Sequence, residues 1–301
     1  MKGWTVDAES NSLDLARRHV VRYLSLEAMT RCNQACYFCP VSLGQREDVV
    51  MAMESFEALV KEVADLALDT LHGVFLFNYN EPTLDKRLMD RLRVLRAHGL
   101  PIALNTNGSG FTPQLTDGIR SLGGIARLSV NLSTIDPERY KLERGHNHLP
   151  QVLRNLDYLA LHPVADHMEI TVLSSDPKVL AADVQAIGER FAGTPFVITN
   201  YVTMNRAGNA PAGGKQIEAI EALRGCDNLG SRVVEHVHID PSGHVFLCCQ
   251  DYHAEVKLGV WEPGNLAQIL QSDRAAEVRQ WVHGMAPAPE NFLCRKCEFA
   301  R

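Results

Sequence analysis

Apolar runs closed by polar residues or glycine recur along the first two thirds of the chain. They are VRYLSLEAMT (21–30), HGVFLFNYN (72–80), PIALNTNG (101–108), RLSVNLS (127–133), HMEITVLSS (167–175) and PFVITNYVT (195–203). Runs of this length, rich in Val, Ile, Leu and Phe, predict six buried strands. Between them apolar residues recur at helical spacing near 53–67, 84–98, 112–122, 136–144 with 150–161, and 178–192, several opened by Ser, Asp or Pro. This alternation predicts parallel strands joined by right-handed crossovers, hence an α/β fold: a partial (β/α)6 barrel over residues 1–204.

The pattern changes after residue 204. MNRAGNAPAGGKQ is rich in Gly and Ala and predicts a linker loop. Beyond it the chain predicts a helix over 215–224, then a hairpin of VVEHVHID and HVFLCCQDY around the turn PSG, and a long amphipathic helix from about 264 to 282. Residues 205–301 thus form a linker and a small C-terminal module behind the barrel.

Composition narrows the function classes. A chain of 301 residues that is 46% hydrophobic buries a large core. Its net charge of −6 argues against a nucleic-acid partner and favours a cationic small molecule. No run approaches the roughly 18 apolar residues of a membrane span, and MKGWTVDAESNSLDLARRHV lacks the apolar core of a signal peptide. The expectation is a cytoplasmic protein with no membrane partner.

Eight cysteines in a reducing compartment point to metal ligands or catalytic thiols rather than disulfides. Cys32, Cys36 and Cys39 fall in RCNQACYFCP, just after the first strand, at the mouth where barrel enzymes build their sites. Their C-x3-C-x2-C spacing lets one loop hold three irons of an iron–sulfur cube and leave the fourth open. A zinc loop is the plainer alternative, but no fourth ligand stands nearby and zinc sites favour paired C-x2-C halves.

With this trio and strand order the chain resembles the radical S-adenosylmethionine (SAM) superfamily, whose partial (β/α)6 TIM-type barrel carries such a loop after strand one. Phe38 fits the aromatic which that family places before its last cysteine. NYNEP (78–82) resembles the Gly-Gly-Glu-Pro turn that meets the SAM amino group: Glu81 and Pro82 match, while Asn78, Tyr79 and Asn80 depart from the glycines. The resemblance further implies SAM contacts from Asn80, from Asn107 in NTNG, and from Ser129 and Asn131 at the end of strand four. Arg144 in ERG would be the donor to the SAM carboxylate.

Cys226, Cys248 after Gly243, the GN pair Gly264–Asn265, and Cys294 with Cys297 resemble the shortened auxiliary-cluster module called a twitch domain. The resemblance implies two [4Fe–4S] clusters, one binding SAM and one auxiliary, and a flavodoxin- or ferredoxin-type electron donor. Zinc on the same four sulfurs is the alternative. One thiol is then left over, Cys249, whose neighbour Cys248 is a ligand. If the pair lies in a strand, the two side chains point to opposite faces, and spacing alone leaves Cys249 open between a small buried hydrophobe and a working thiol. The radical chemistry implied by the family favours the second. A thiol that returns a hydrogen atom from the face opposite its removal inverts a carbon.

Among enzymes of this kind the chain is most similar to those that epimerise an aminoglycoside, converting neomycin C to neomycin B. That implies Cys249 as the catalytic thiol and a cationic aminoglycoside as substrate, its amines meeting carboxylates such as Glu169, Asp240 or Asp251. A radical SAM dehydrogenase of an aminocyclitol, indifferent to Cys249, is the second reading. A non-enzymatic iron–sulfur or zinc scaffold is the third.

Overall fold

Alternate residues of the six strands turn into one continuous apolar core. In the computed structural model, which describes residues 17, 19–44, 46–228 and 232–301, the strands are β1 (Tyr23–Leu26), β2 (Gly73–Phe75), β3 (Ile102–Thr106), β4 (Ile125–Asn131), β5 (Ala165–Ser174) and β6 (Phe196–Val202). Leu24, Val74, Ile102, Leu104, Leu128, Val130, Ile170 and Val172 are all buried in that core. The helices α1 (Met53–Ala67), α2 (Leu88–Ala97), α3 (Pro113–Ser121), α4 (Pro137–Arg144), α5 (Leu149–Leu161) and α6 (Pro177–Arg190) supply its other side, through residues such as Phe56, Leu92, Ile119, Tyr140, Leu156 and Ile187. Three of them start as their sequences dictate: Thr112, Asp136 and Asp176 each accept a hydrogen bond from the first turn, with Pro next in line.

The other face of the sheet is polar. Ser129 Oγ, Thr171 Oγ1 and Thr199 Oγ1 form a hydroxyl ladder across β4, β5 and β6 at 2.9 and 3.2 Å. Asn131 Nδ2 donates to Asn105 Oδ1 at 2.9 Å, and Arg127 Nη2 to Glu169 Oε2 at 2.7 Å. This face holds Ser129 and Asn131, two of the residues expected around SAM.

The C-terminal segment does more than follow the barrel. β7 (His236–Ile239) pairs in parallel with β1, β8 (His244–Phe246) pairs antiparallel with β7, and β9 (Lys257–Val260) with β8, so one sheet runs β6-β5-β4-β3-β2-β1-β7-β8-β9. The turn at PSG is as expected, with Gly243 at φ 83. Three short or divided helices complete the segment: α7 (Arg232–Glu235), α8 (Leu266–Gln271) and α9 (Asp273–Val282). The Glu62 carboxylate of α1 ties them to the barrel, accepting from Trp261 Nε1 at 2.8 Å and from the Leu266 amide at 2.7 Å.

Two expectations change. The helix over 215–224 does not form, because the carbonyls of Ile220 and Glu221 accept from Arg295 Nη1 at 2.7 and 2.6 Å instead of bonding within a helix. The long helix over 264–282 breaks at Ser272, whose extended backbone (φ −64, ψ 158) and side chain cap the Ala275 amide. The N-terminal residues 1–16, on which the signal-peptide reading bore, lie outside the described residues. Among the described residues no helix is long and apolar enough to cross a membrane.

His236 and His238 stack on the β7 face that continues the polar side, with ring centroids 4.2 Å apart. Burial lowers the pKa of both well below the ordinary 6.5. The unfolded chain therefore takes up protons below that pH while the folded chain does not, so their contribution is present above about pH 6.5 and is lost on acidification. Thermal melts from about pH 7.5 down to about pH 5.5 should show Tm falling, each histidine contributing at most about 1.4 kcal/mol per pH unit. His238→Gln should flatten that slope, and an unchanged slope would refute the assignment.

Candidate active site between two groups of cysteines

The loop carrying Cys32, Cys36 and Cys39 leaves the C-terminal end of β1 and is held by its own backbone and by α4. The Cys39 amide donates to the Cys36 carbonyl at 2.8 Å, the Ala35 amide to the Arg144 carbonyl at 3.0 Å, and the Tyr37 amide to the Glu143 carbonyl at 3.1 Å. Gly145, at φ 72, ends α4 where an added Cβ would lie 3.1 Å from that of Ala35. Arg144 is thereby brought under the loop. Its Nη1 donates to Cys36 Sγ at 3.6 Å and its Nη2 to Ser133 Oγ at 2.6 Å. Its guanidinium lies 5.1 Å from the centroid of the Phe38 ring. Arg144 Nε is buried without a partner, an unmet donor that a carboxylate would satisfy.

Burial pushes the thiols of Cys32 and Cys39 up to about 12 and about 11. They are neutral thiols in the protein by itself and release protons when they take a metal. The other residues expected around SAM gather at the ends of β2, β3 and β4. Glu81 is buried and its carboxylate is wholly engaged, accepting from Thr83 Oγ1 at 2.7 Å, Thr106 Oγ1 at 2.6 Å and the Asn107 amide at 2.6 Å. It thus splices the β2 turn to the end of β3. Asn80 Oδ1 accepts from the Asn78 amide at 3.1 Å, and Asn107 Nδ2 donates to Asn33 Oδ1 at 2.8 Å, bringing the cysteine loop into the same network.

Cys226, Cys248, Cys294 and Cys297 line one pocket with Arg232, Gln250 and Phe299. Cys226 reaches it through a bridge to Ala300, reinforced by the Asp227 amide on the Phe299 carbonyl at 2.9 Å. The Gln250 amide donates to Cys248 Sγ at 3.4 Å, the kind of contact that tunes a metal-bound thiolate. Burial raises the pKa of Cys248 and Cys294 and pushes Cys297 up to about 11. Among the described residues no three or more His, Cys, Asp or Glu gather tightly enough for a single metal ion.

Cys249 does not line that pocket. It also does not lie in a strand: β8 ends at Phe246, and Cys249 and Gln250 form a turn with the Asp251 amide on the Cys248 carbonyl at 3.0 Å. The chain turns at Cys249 instead of continuing the strand, so strand alternation does not set the direction of its thiol, and Cys248 and Cys249 remain electrostatic neighbours. Cys249 is half-buried, and its backbone carbonyl accepts from the Tyr79 hydroxyl. Burial works against the charge of Arg206, but Tyr79, Cys249, Cys39 and Glu298 around it hold its pKa above the ordinary value. One half-buried cation therefore neighbours both the first cysteine loop and the spare thiol.

The three carboxylates expected to meet substrate amines all have internal partners. Glu169 is bonded by Arg127, with His167 Nε2 at 3.4 Å. Asp240 caps its own turn and holds His244 Nδ1 at 2.8 Å. Asp251 accepts from the amides of Glu255 and Val256 at 2.9 and 2.8 Å. Tyr79, Arg206 and the Glu27–Arg46 pair, joined at 2.8 and 2.6 Å, were missed by sequence reasoning. Only Tyr79 left a signal: an aromatic residue where the resembled turn has glycine.

The chain is similar to known proteins in both sequence and fold. Residues 26–174 match the Radical SAM superfamily and residues 226–298 an iron–sulfur cluster-binding domain. A GTP 3′,8-cyclase of Corynebacterium glutamicum is 30% identical over 158 residues, 48% of this chain and 40% of that protein. A probable GTP 3′,8-cyclase of Pyrococcus horikoshii is 24% identical over 136 residues, 45% of this chain and 42% of that protein. The match thus spans less than half the length of these curated relatives. In fold, the chain is similar to BtrN in complex with AdoMet and 2-DOIA, with TM-score 0.62 and 17% identity over 93% of this chain and 94% of that one. It is also similar to SuiB of Streptococcus suis bound to its precursor peptide SuiA, with TM-score 0.68 and 11% identity over 93% of this chain and 74% of that one.

Proposed function

Because this chain belongs to the radical SAM superfamily and carries an iron–sulfur cluster-binding domain behind its barrel, we propose that it is an epimerase inverting one sugar carbon of an aminoglycoside, of the neomycin C to neomycin B type. Residues 1–204 would be the SAM domain and 205–301 the auxiliary one. Radical SAM domains take a [4Fe–4S] cluster and SAM, and the second domain takes an auxiliary iron–sulfur cluster. Cys32, Cys36 and Cys39 would hold the first, and Cys226, Cys248, Cys294 and Cys297 the second. Phe38, Asn80, Glu81, Asn107, Ser129, Asn131 and Arg144 would surround SAM, the unmet Nε of Arg144 suiting its carboxylate. When bound, these groups supply a 5′-deoxyadenosyl radical able to take hydrogen from an unactivated carbon, fed by a flavodoxin- or ferredoxin-type reductant.

The chain's own part is the return of hydrogen. Cys249 holds a hydrogen atom on Sγ, and a thiol gives it up to a carbon radical because an S–H bond is weaker than a C–H bond. Given from the face opposite its removal, it inverts the carbon with no net oxidation of the sugar; the sulfur radical left on Cys249 would regain its S–H by taking one electron from the reductant, relayed by the auxiliary cluster, and one proton from solvent. One observation carries this reading: the eighth thiol does not line the pocket of the other four, yet it is within electrostatic reach of Cys248 and Cys297, and its neighbours Tyr79 and Arg206 also neighbour Cys39. The net charge of −6 and the Thr171–Thr199 hydroxyl pair, beside the residues assigned to SAM, support a polyhydroxylated polycation as substrate. Because Glu169, Asp240 and Asp251 are already paired, hydroxyl recognition is the larger part of that fit.

The loaded enzyme should be given a panel of aminoglycosides and each product scored for mass and stereochemistry. Unchanged mass with an altered sugar spectrum is the expected result. Loss of two hydrogens would instead establish a dehydrogenase, and no SAM cleavage at all would leave only a cluster-binding scaffold.

A further inference from the structure

We propose that Tyr79 is a positioning residue for the Cys249 thiol, clasping the turn that carries it together with Asn209. The inference rests on the reading of Cys249 as hydrogen donor and extends it to the machinery that aims the thiol.

Tyr79 is fixed on every side. With Val41 and Tyr252 it forms a buried cluster against Cys32 and Cys39, separate from the main core. Its ring meets Tyr252 edge-on, with centroids 4.8 Å apart at 87°. Its amide donates to Glu27 Oε1 at 2.9 Å, and Glu27 is itself forked by Arg46, whose guanidinium lies 4.9 Å from the centroid of the Tyr252 ring. A ring so enclosed points its hydroxyl one way, and that hydroxyl donates to the Cys249 carbonyl.

The next carbonyl is held from another element. Asn209 Nδ2 donates to the Gln250 carbonyl at 2.8 Å. Asn209 follows Arg206 and Ala207, both left-handed at φ 53 and φ 54 although neither is glycine, a backbone that surrounding contacts must enforce. Gly213 closes this loop against the first cysteine loop, where an added Cβ would stand 2.5 Å from the Met204 carbonyl and 3.1 Å from the Phe38 Cα. The Gln250 amide meanwhile donates to Cys248 Sγ. The carbonyls of residues 249 and 250 are thus committed to barrel and linker, and the amide between them to the pocket ligand. Cys248 and Cys249 cannot exchange places without breaking all three bonds.

The test uses the cluster-loaded protein and the variants Tyr79→Phe, Asn209→Ala and Tyr252→Phe. Three quantities are read: iron content, epimer formed per 5′-deoxyadenosine, and the rate at which iodoacetamide alkylates Cys249, followed by peptide mass spectrometry. Tyr79→Phe should keep its iron and its SAM cleavage. Its epimer per 5′-deoxyadenosine should fall about five- to tenfold, and Cys249 alkylation should rise by a similar factor, as suits loss of one aiming hydrogen bond. Tyr252→Phe, which loses its hydroxyl's bonds to the Gly44 carbonyl and to Arg46 but keeps its ring against Tyr79 and leaves the Glu27–Arg46 fork intact, should keep the parental ratio. A parental ratio and alkylation rate in Tyr79→Phe, or an equal fall in Tyr252→Phe, would overturn the inference. Should Tyr79→Phe lose iron, Asn209→Ala decides: a lowered ratio supports the clasp and a parental one refutes it. If Cys249→Ala still makes epimer, the donor reading fails; if it makes none and Tyr79→Phe behaves as the parent, only the clasp does.

Discussion

Cys249→Ala should form 5′-deoxyadenosine from SAM in the presence of substrate while yielding essentially no inverted product. The expected loss exceeds about a thousandfold in epimer, with SAM cleavage within about threefold of the parent, corresponding to more than about 4 kcal/mol on one step and almost none on the other. The split follows from location. Cys249 lies outside the C-x3-C-x2-C loop and does not line the four-sulfur pocket, so both proposed metal sites would keep their ligands without it. What disappears is the hydrogen on Sγ. Cys249→Ser tests the same point more narrowly, since it keeps the turn and the Tyr79 contact with the backbone carbonyl but replaces S–H by an O–H too strong to give up its hydrogen. Epimer from either variant at the parental rate would remove Cys249 from the mechanism.

The second large effect separates the two groups of cysteines. Cys36→Ala should abolish SAM cleavage altogether and Cys294→Ala should leave it measurable, with iron falling in each case from about eight to about four per chain. Cys36 lies against the Arg144 guanidinium and Cys294 in the pocket with Cys226, Cys248 and Cys297. Because the two sites draw on different elements, the loops after β1 and α9, loss of one need not unfold the other. In Cys294→Ala the epimer should stop near one turnover per chain, because a spent Cys249 sulfur then has no nearby source of the electron that restores its S–H. Bound zinc in place of the second half of the iron would refute the auxiliary-cluster assignment.

How far the sequence carried this reading differs from element to element. The six barrel strands and their helices were legible because each apolar run serves one core, and Thr112, Asp136 and Asp176 announce their helices. The first cysteine loop was legible because its three thiols lie close together in sequence, from Cys32 to Cys39. Beyond residue 204 local pattern gives way to long-range contacts. KQIEAIEALR has helical spacing, yet Arg295 takes its carbonyls, and nothing nearby in sequence indicates that. β7 has the look of one arm of an isolated hairpin, but its free edge pairs with β1, more than 200 residues earlier. The carboxylates Glu169, Asp240 and Asp251 read as open charges and are each internally bonded. Strand alternation was expected to put Cys248 and Cys249 on opposite faces; the chain instead turns at Cys249, for which Asp251 was the visible signal.

The central claim is that solvent-exchangeable hydrogen, held on one thiol, ends on an inverted carbon. Incubation of the loaded enzyme with its aminoglycoside in deuterated water measures this directly by mass and NMR of the product. The account predicts one deuterium at the inverted carbon and nowhere else. An inverted product without deuterium, or a product lighter by two hydrogens, would contradict it.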